Sequence, residues 1–267
     1  MSPDDNVFPA LLRYWRGARG LSQLDLAGAA GVSAKHVSFL ETGRAKPSRE
    51  MVLRLASTMD LPLRDQNVLL VAAGFAEAFR GTAQGAFDPI VERALERMMA
   101  HQEPYPLLVF DRHYDLVTSN RATQRLLGLL LGDEAGRQRN TLELLFDPAL
   151  LRPFVVDWER VAKALLGRVQ REMLHRRRDT GLSALISTLC AYPGVPEDWR
   201  LPDLSAPSHA TLDIQFEHAG HRFGFLTTLT VFQAPQDVAL EELRIESYFP
   251  LDDATDQLCR ALAGGNA

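Results

Sequence analysis

The sequence predicts a mainly α protein with an α+β second domain: five short helices first, then an antiparallel sheet with flanking helices. Three observations predict it. Capped, amphipathic segments recur at short intervals through residue 74. A stretch poor in apolar anchors, AEAFRGTAQGAFD at 76–88, separates them from the remainder. Beyond it, segments alternate apolar and polar residues with the period of half-buried strands. A chain of 267 residues has room for two domains, and 46% hydrophobic with 24% charged residues is an ordinary globular composition.

The first helix is predicted over 7–19, with Leu11, Leu12, Trp15 and Ala18 on one side. Ser22 is a good N-cap and Asp25 completes a capping box, starting a second helix that turns Leu24, Leu26 and Ala27 inward. Gly31 supplies the positive φ of a tight turn. Ser33 caps a third helix, whose Val37 and Leu40 face the same core. After Lys46-Pro47, Ser48 caps a fourth helix to about residue 59, with Met51, Val52, Leu55 and Ala56 inward. Pro62 precedes a fifth, with Val68, Leu69, Leu70 and Ala73, stopped by Gly74.

Residues 1–78 are read as the first domain, 79–104 as linker and connector helix (helical over 89–99), and 105–267 as the second domain. The latter opens with an apolar strand at 107–110, a turn at Asp111-Arg112-His113 and a strand at 114–118. Ser119-Asn120 then caps a helix to 129. Residues 141–190 read as helical and amphipathic. Strands are predicted at 211–217 and 221–232, joined at Ala219-Gly220, and at 244–249. Asp252-Asp253 begin a last helix through 262.

The spacing Gln23, Ala27, Gly31, Val37, Leu40 is that of a helix-turn-helix, whose second helix projects to lie in a DNA major groove. With Leu21-Ser22-Gln23, Leu26-Ala27, Gly31-Val32-Ser33, Glu41-Thr42-Gly43-Arg44 and Lys46-Pro47-Ser48, residues 7–75 resemble the Cro/lambda-repressor (Xre) family. That resemblance implies a five-helix DNA-binding domain in which Arg16 and Glu41 form a structural ion pair. A head of this kind joined to a long C-terminal region resembles the MmyB-like transcription regulators. Their second domain is a PAS-like ligand-binding module, and the strand–turn–strand–helix order from 107 is similar to the opening of a PAS domain.

Charge distribution agrees with a single DNA-facing end. Residues 7–64 hold nine Lys/Arg against four Asp/Glu, a net +5. Residues 81–267 hold 19 basic and 26 acidic residues, a net −7. The expected DNA-binding residues are Gln23 in the first turn of helix two, and Ser33, Ala34, Lys35 and His36 opening the recognition helix. Ser38 and Phe39 follow further along, with Arg44 as a phosphate clamp in the loop behind. Phe39 either meets a thymine methyl or packs inward.

In the second domain Leu108, Phe110, Phe154, Trp158, Phe216, Phe223 and Phe225 are the candidate pocket lining, with Phe249 among the large aromatics. Each fills a core or lines a cavity. The MmyB-like resemblance implies a cavity, and an apolar ligand such as a fatty acid suits such a lining. Two-fold homodimers on operator DNA are expected for regulators of this type.

Other chemistry finds no pattern. Cys190 and Cys259 form no CxxC pair and read as reduced thiols. His209, His218 and His221 lack neighbouring cysteines for a zinc site, so no metal or other cofactor is expected. Glycine-rich phosphate loops, a GxSxG elbow and HExxH are absent, and Asp111 with His113 has no nucleophile nearby, so the chain is not expected to be an enzyme. His175-Arg176-Arg177-Arg178 reads as a solvated helix end facing the negative pole of its dipole. No apolar run spans a bilayer and no leader is seen, which makes the cytoplasm the expected compartment. The alternative function is an antitoxin or phage-type repressor whose second domain grips a protein.

Overall fold

Reciprocal bonds between Ser22 and Asp25 start the second helix. The Ser22 hydroxyl accepts the Asp25 N–H at 3.1 Å, and the Asp25 carboxylate accepts the Ser22 N–H at 2.9 Å. This computed structural model describes residues 7–79, 87–136, 140–175, 179–200, 212–232 and 237–264. They form two compact units: residues up to Phe87 with Phe232–Glu241, and Asp88–Val231 with Glu242–Ala267.

The first unit holds α1 (Val7–Ala18), α2 (Gln23–Ala30), α3 (Ala34–Glu41), α4 (Arg49–Thr58) and α5 (Leu63–Ala72). Leu12, Leu26, Val37, Leu40, Val52 and Leu70 are fully excluded from water at its centre. Each contributes about 1.5–3 kcal/mol by burial. Leu24, expected inside, is 71% exposed. The buried stripe of α2 is Leu26, Ala27 and Ala30, and a residue two positions before Leu26 lies across the helix from it. Val68 is exposed for the same reason, because α5 turns Asn67, Leu69 and Leu70 inward around it. Asn67 is a buried polar residue in this bundle, accepting N–H bonds from Ala78 and Phe79 and donating to the Phe79 carbonyl. Pro62 has no side-chain cap to offer α5, and the Glu241 carboxylate takes the Leu63 N–H at 2.9 Å.

The second unit begins with α6 (Pro89–Gln102), capped by Asp88. Its sheet has five antiparallel strands: β1 (Leu107–Phe110), β2 (Leu116–Ser119), β3 (Leu212–His218), β4 (His221–Thr230) and β5 (Arg244–Pro250). The order β2-β1-β5-β4-β3 pairs the first and last strands in the middle, with Val109 opposite Ile245. Around it stand α7 (Arg121–Leu131), α8 (Thr141–Phe146), α9 (Trp158–His175), α10 (Thr180–Ala191) and α12 (Asp253–Gly264), while α11 (Val238–Glu242) belongs to the first unit except for its last residue.

Three sequence expectations change. The stretch 141–190 is not one helical run but α8, α9 and α10, interrupted at Pro148, at Pro153 and at Asp157, whose φ is +51°. The second strand starts at Leu116, because Tyr114 has φ +67° and the Asp111 carboxylate accepts the N–H of both His113 and Asp115, widening the turn. β4 ends at Thr230, short of Phe232. At the last helix, Asp252 is a true cap, accepting the Thr255 N–H at 2.8 Å and its hydroxyl at 2.7 Å. Cys190 and Cys259 are buried and unbridged.

Candidate functional site

Ser33 opens α3 by accepting the His36 N–H at 3.1 Å, while Val37 and Leu40 pin the helix to the core. Before it, Gly31 sits at φ +66° and its N–H closes α2 onto the Ala27 and Gly28 carbonyls. A turn this short fixes the angle between α2 and α3 and leaves the first turn of α3 outward. Ser33 and Lys35 are exposed there, Ala34, His36, Ser38 and Phe39 are half-buried, and Arg44 is exposed in the loop behind. The Lys35 ammonium lies 5.5 Å from the centre of the Phe39 ring.

A charged bolt holds this geometry from beneath. Glu41 is 3% exposed at the end of α3. Arg16 of α1 reaches both its carboxylate oxygens, at 2.6 and 3.2 Å. Gln23 donates its amide to Glu41 at 2.8 Å, so its side chain braces α2 to α3 while its backbone N–H stands in the first turn of α2. Arg13 adds a bond to the Glu41 carbonyl at 2.9 Å, a contact the sequence pattern does not signal. Burial pushes the Glu41 carboxyl up, but the bonds from Arg16 and Gln23 and the charges of Arg16 and Arg13 outweigh it and hold it below its ordinary value.

The second unit contains an apolar cavity of about 70 Å³. Leucines of α7, α8 and α9 line it, among them Leu126, Leu130, Leu142 and Leu165, together with Ile214 and Phe216 of β3. Besides three threonines, Thr123, Thr141 and Thr227, the wall takes in Tyr114, Arg168, Glu246 and Tyr248. The Tyr248 hydroxyl donates to Glu246 at 3.2 Å and the Tyr114 hydroxyl to Glu172 at 3.1 Å. The Arg168 guanidinium stands 5.7 Å from the centre of the Tyr114 ring, and its buried Nε has no hydrogen-bond partner.

The family model for the MmyB-like transcription regulator ligand binding domain matches residues 91–262, and a helix-turn-helix model matches residues 12–66. The chain belongs to the MmyB-like transcription regulators. An HTH-type transcriptional regulator of Mycobacterium tuberculosis is 34% identical to this MmyB-like chain over 113 residues, which cover 40% of this chain and 38% of the relative. The HTH-type transcriptional regulator DdrOP3 of Deinococcus deserti is 46% identical over 86 residues, 32% of this chain and 64% of that protein. The matches therefore span less than two thirds of either relative. A solved RNA-binding light-oxygen-voltage receptor aligns over 98% of this chain and 64% of its own, at 12% identity and a TM-score of 0.28, too low to bear on the fold.

Within the MmyB-like domain, Leu108 and Phe216 line the cavity. Phe110, Phe223 and Phe225 lie in the solid core beside it, Phe110 stacked on Tyr114 and Phe223 on Phe216. Phe154 packs on His218, and Trp158 lies under the Arg152 guanidinium at 3.6 Å with its indole N–H on the Leu145 carbonyl, both away from the cavity. Phe249 is 42% exposed. The leucines and the polar groups escaped the aromatic-based reading. In sequence Glu246 of β5 and Arg168 of α9 are not distinguished from the surrounding charges. Arg176, Arg177, Arg178 and His209 fall outside the described residues. Among the described residues no cluster of His, Cys, Asp or Glu is arranged to hold a metal, and no helix is long and apolar enough to cross a membrane.

Proposed function

We propose that the chain is a cytoplasmic, sequence-specific DNA-binding transcriptional regulator. Its first unit places α3 in the major groove of an operator, and its second binds a small apolar ligand such as a fatty acid. The observation that carries the DNA reading is the outward first turn of α3, bearing Ser33 and Lys35, on a bundle with net positive charge. Lys35 is placed to donate to guanine O6 and N7, the half-buried Ala34 methyl suits a thymine methyl, and His36 and Ser38 continue along the same helix. Arg44 and the N–H of Gln23 take phosphate oxygens, and Phe39 supports the Lys35 stem. Two copies on a two-fold operator would set their recognition helices roughly 34–36 Å apart, so a homodimer is part of this reading.

The experiment starts from duplexes selected by the full chain from a random pool. Lys35→Ala is expected to weaken binding by about 1–3 kcal/mol and to relax preference at one base position. Arg44→Ala is expected to weaken all sequences alike and to lower the salt slope by about one. Unchanged affinity and unchanged preference in Lys35→Ala would refute the recognition-helix assignment.

The ligand reading rests on family membership and on the leucine-walled cavity. That cavity is smaller than the roughly 300–1,000 Å³ usual for ligand pockets, so an alkyl chain enters only as the leucines of α7 and α8 move apart. A ligand that binds the opened arrangement better shifts the population toward it, which is how occupancy would reach the DNA-binding equilibrium.

A further inference from the structure

We infer that the cavity binds its ligand by a terminal carboxylate set against Arg168, and that this binding takes up a proton on Glu246. The inference rests on the ligand reading above and specifies what the cavity recognises and how its occupancy responds to pH.

Among the described residues Arg168 is the only cation lining the cavity, and its Nε–H is buried without an acceptor. A buried N–H of a charged group left unmade costs more than a neutral one, so the site favours an occupant that brings an anionic oxygen. An apolar wall with one such donor describes an alkyl chain ending in a carboxylate better than a neutral lipid or an amine.

Charge balance gives the second half. Glu246 shares the cavity wall with Arg168. Glu246 interacts with Arg168 on α9, Thr227 on β4 and Tyr248 on its own strand, while Tyr114 in the β1–β2 turn and Glu172 on α9 act on the same Arg168. One guanidinium therefore answers for Glu246, with Glu172 held by the Tyr114 hydroxyl. A ligand carboxylate would be a further negative charge against the same single cation, in a wall of leucine where water cannot compensate. The less costly outcome is that the pair of carboxylates holds one proton, as carboxylates sharing a site do. Burial already pushes the Glu246 carboxyl above its ordinary value despite Arg168, Tyr248 and Thr227, and losing the undivided pull of Arg168 pushes it further. Glu246 keeps its hydrogen bond to Tyr248 in either state, because a protonated carboxyl still accepts.

The test is calorimetric titration of the full chain with decanoate and with decanol, each in buffers of different ionisation heat, from mildly acidic to mildly alkaline pH. Decanoate is expected to bind with a bell-shaped proton uptake approaching about one proton per ligand, and decanol more weakly with none. Glu246→Gln should keep decanoate binding and abolish the uptake. Arg168→Gln should erase the preference for decanoate over decanol, with decanol binding retained as proof that the cavity is intact. Decanoate bound with no proton taken up at any pH overturns the inference and leaves the ligand reading standing. Binding of neither probe overturns that ligand reading, and the inference with it.

Discussion

Glu41→Ala is expected to destabilise the first unit by about 3–5 kcal/mol, the cost of stranding one partner of a buried ion pair. Arg16 would lose both carboxylate oxygens while its side chain is 17% exposed, and the Gln23 amide would lose its acceptor in the same step. The partial access of Arg16 to water places the effect near the lower end of that range. For a bundle of this size each kcal/mol moves Tm by roughly 4–8 °C, so a fall of roughly 12–24 °C is expected. Hydrogen exchange of the intact chain localises it: protection should drop across α1 to α3 and stay unchanged in β4 and β5. A second readout follows from sign. Glu41 is held below its ordinary value, so its contribution is complete above the unfolded glutamate range near about 4.3 and is lost as pH falls through the lower folded value. Glu41→Gln, which cannot titrate, should flatten that acid limb. Normal melting of Glu41→Ala would mean that the bolt is not what orients α3.

What could be read from the chain follows how local each cause is. Ser22, Ser33 and Ser48 cap their helices because the partner N–H lies three residues away, and Gly31 turns because φ is a property of one residue. The resemblance to the Cro/lambda-repressor (Xre) family added the Arg16–Glu41 pair, which no spacing argument supplies. Leu24 misled because hydrophobicity alone does not say which side of a two-turn helix is buried. The meeting of β1 with β5 joins segments more than a hundred residues apart, and no periodicity encodes it. The cavity depends on that topology. Its wall is leucine from three helices, individually indistinguishable from core, while the large aromatics Phe223 and Phe225 fill space rather than surround it. Arg168 and Glu246 look like routine charges in sequence and become informative only when α9 and β5 are brought to one wall.

Asn120 carries the second large effect, in the ligand-binding unit. Its carboxamide oxygen accepts three bonds at 3.0 Å, from the N–H of Leu107 in β1 and from the N–H and hydroxyl of Thr123 in α7. Its NH₂ donates to the Tyr105 carbonyl at 2.8 Å. One 4% exposed side chain thus caps α7, ties it to β1 and satisfies the chain entering that strand. Leu107 keeps a second acceptor in the Thr123 hydroxyl, so Asn120→Ala leaves two groups unmet: the Thr123 N–H and the Tyr105 carbonyl. A lost cap costs about 1 kcal/mol and an orphaned buried carbonyl about 1–3, giving about 2–4 kcal/mol together. In a unit of this length that is roughly 4–16 °C in Tm. Asn120→Asp separates the two parts. Its carboxylate still accepts from Thr123 at the positive end of α7 but has nothing to donate to Tyr105, so it should recover the cap and not the carbonyl. Equal melting of the Asp and Ala variants would show that α7 does not need this cap. Because Leu126 and Leu130 on the same helix line the cavity, a loosened α7 should also weaken decanoate binding without altering its proton uptake, which distinguishes scaffold from recognition.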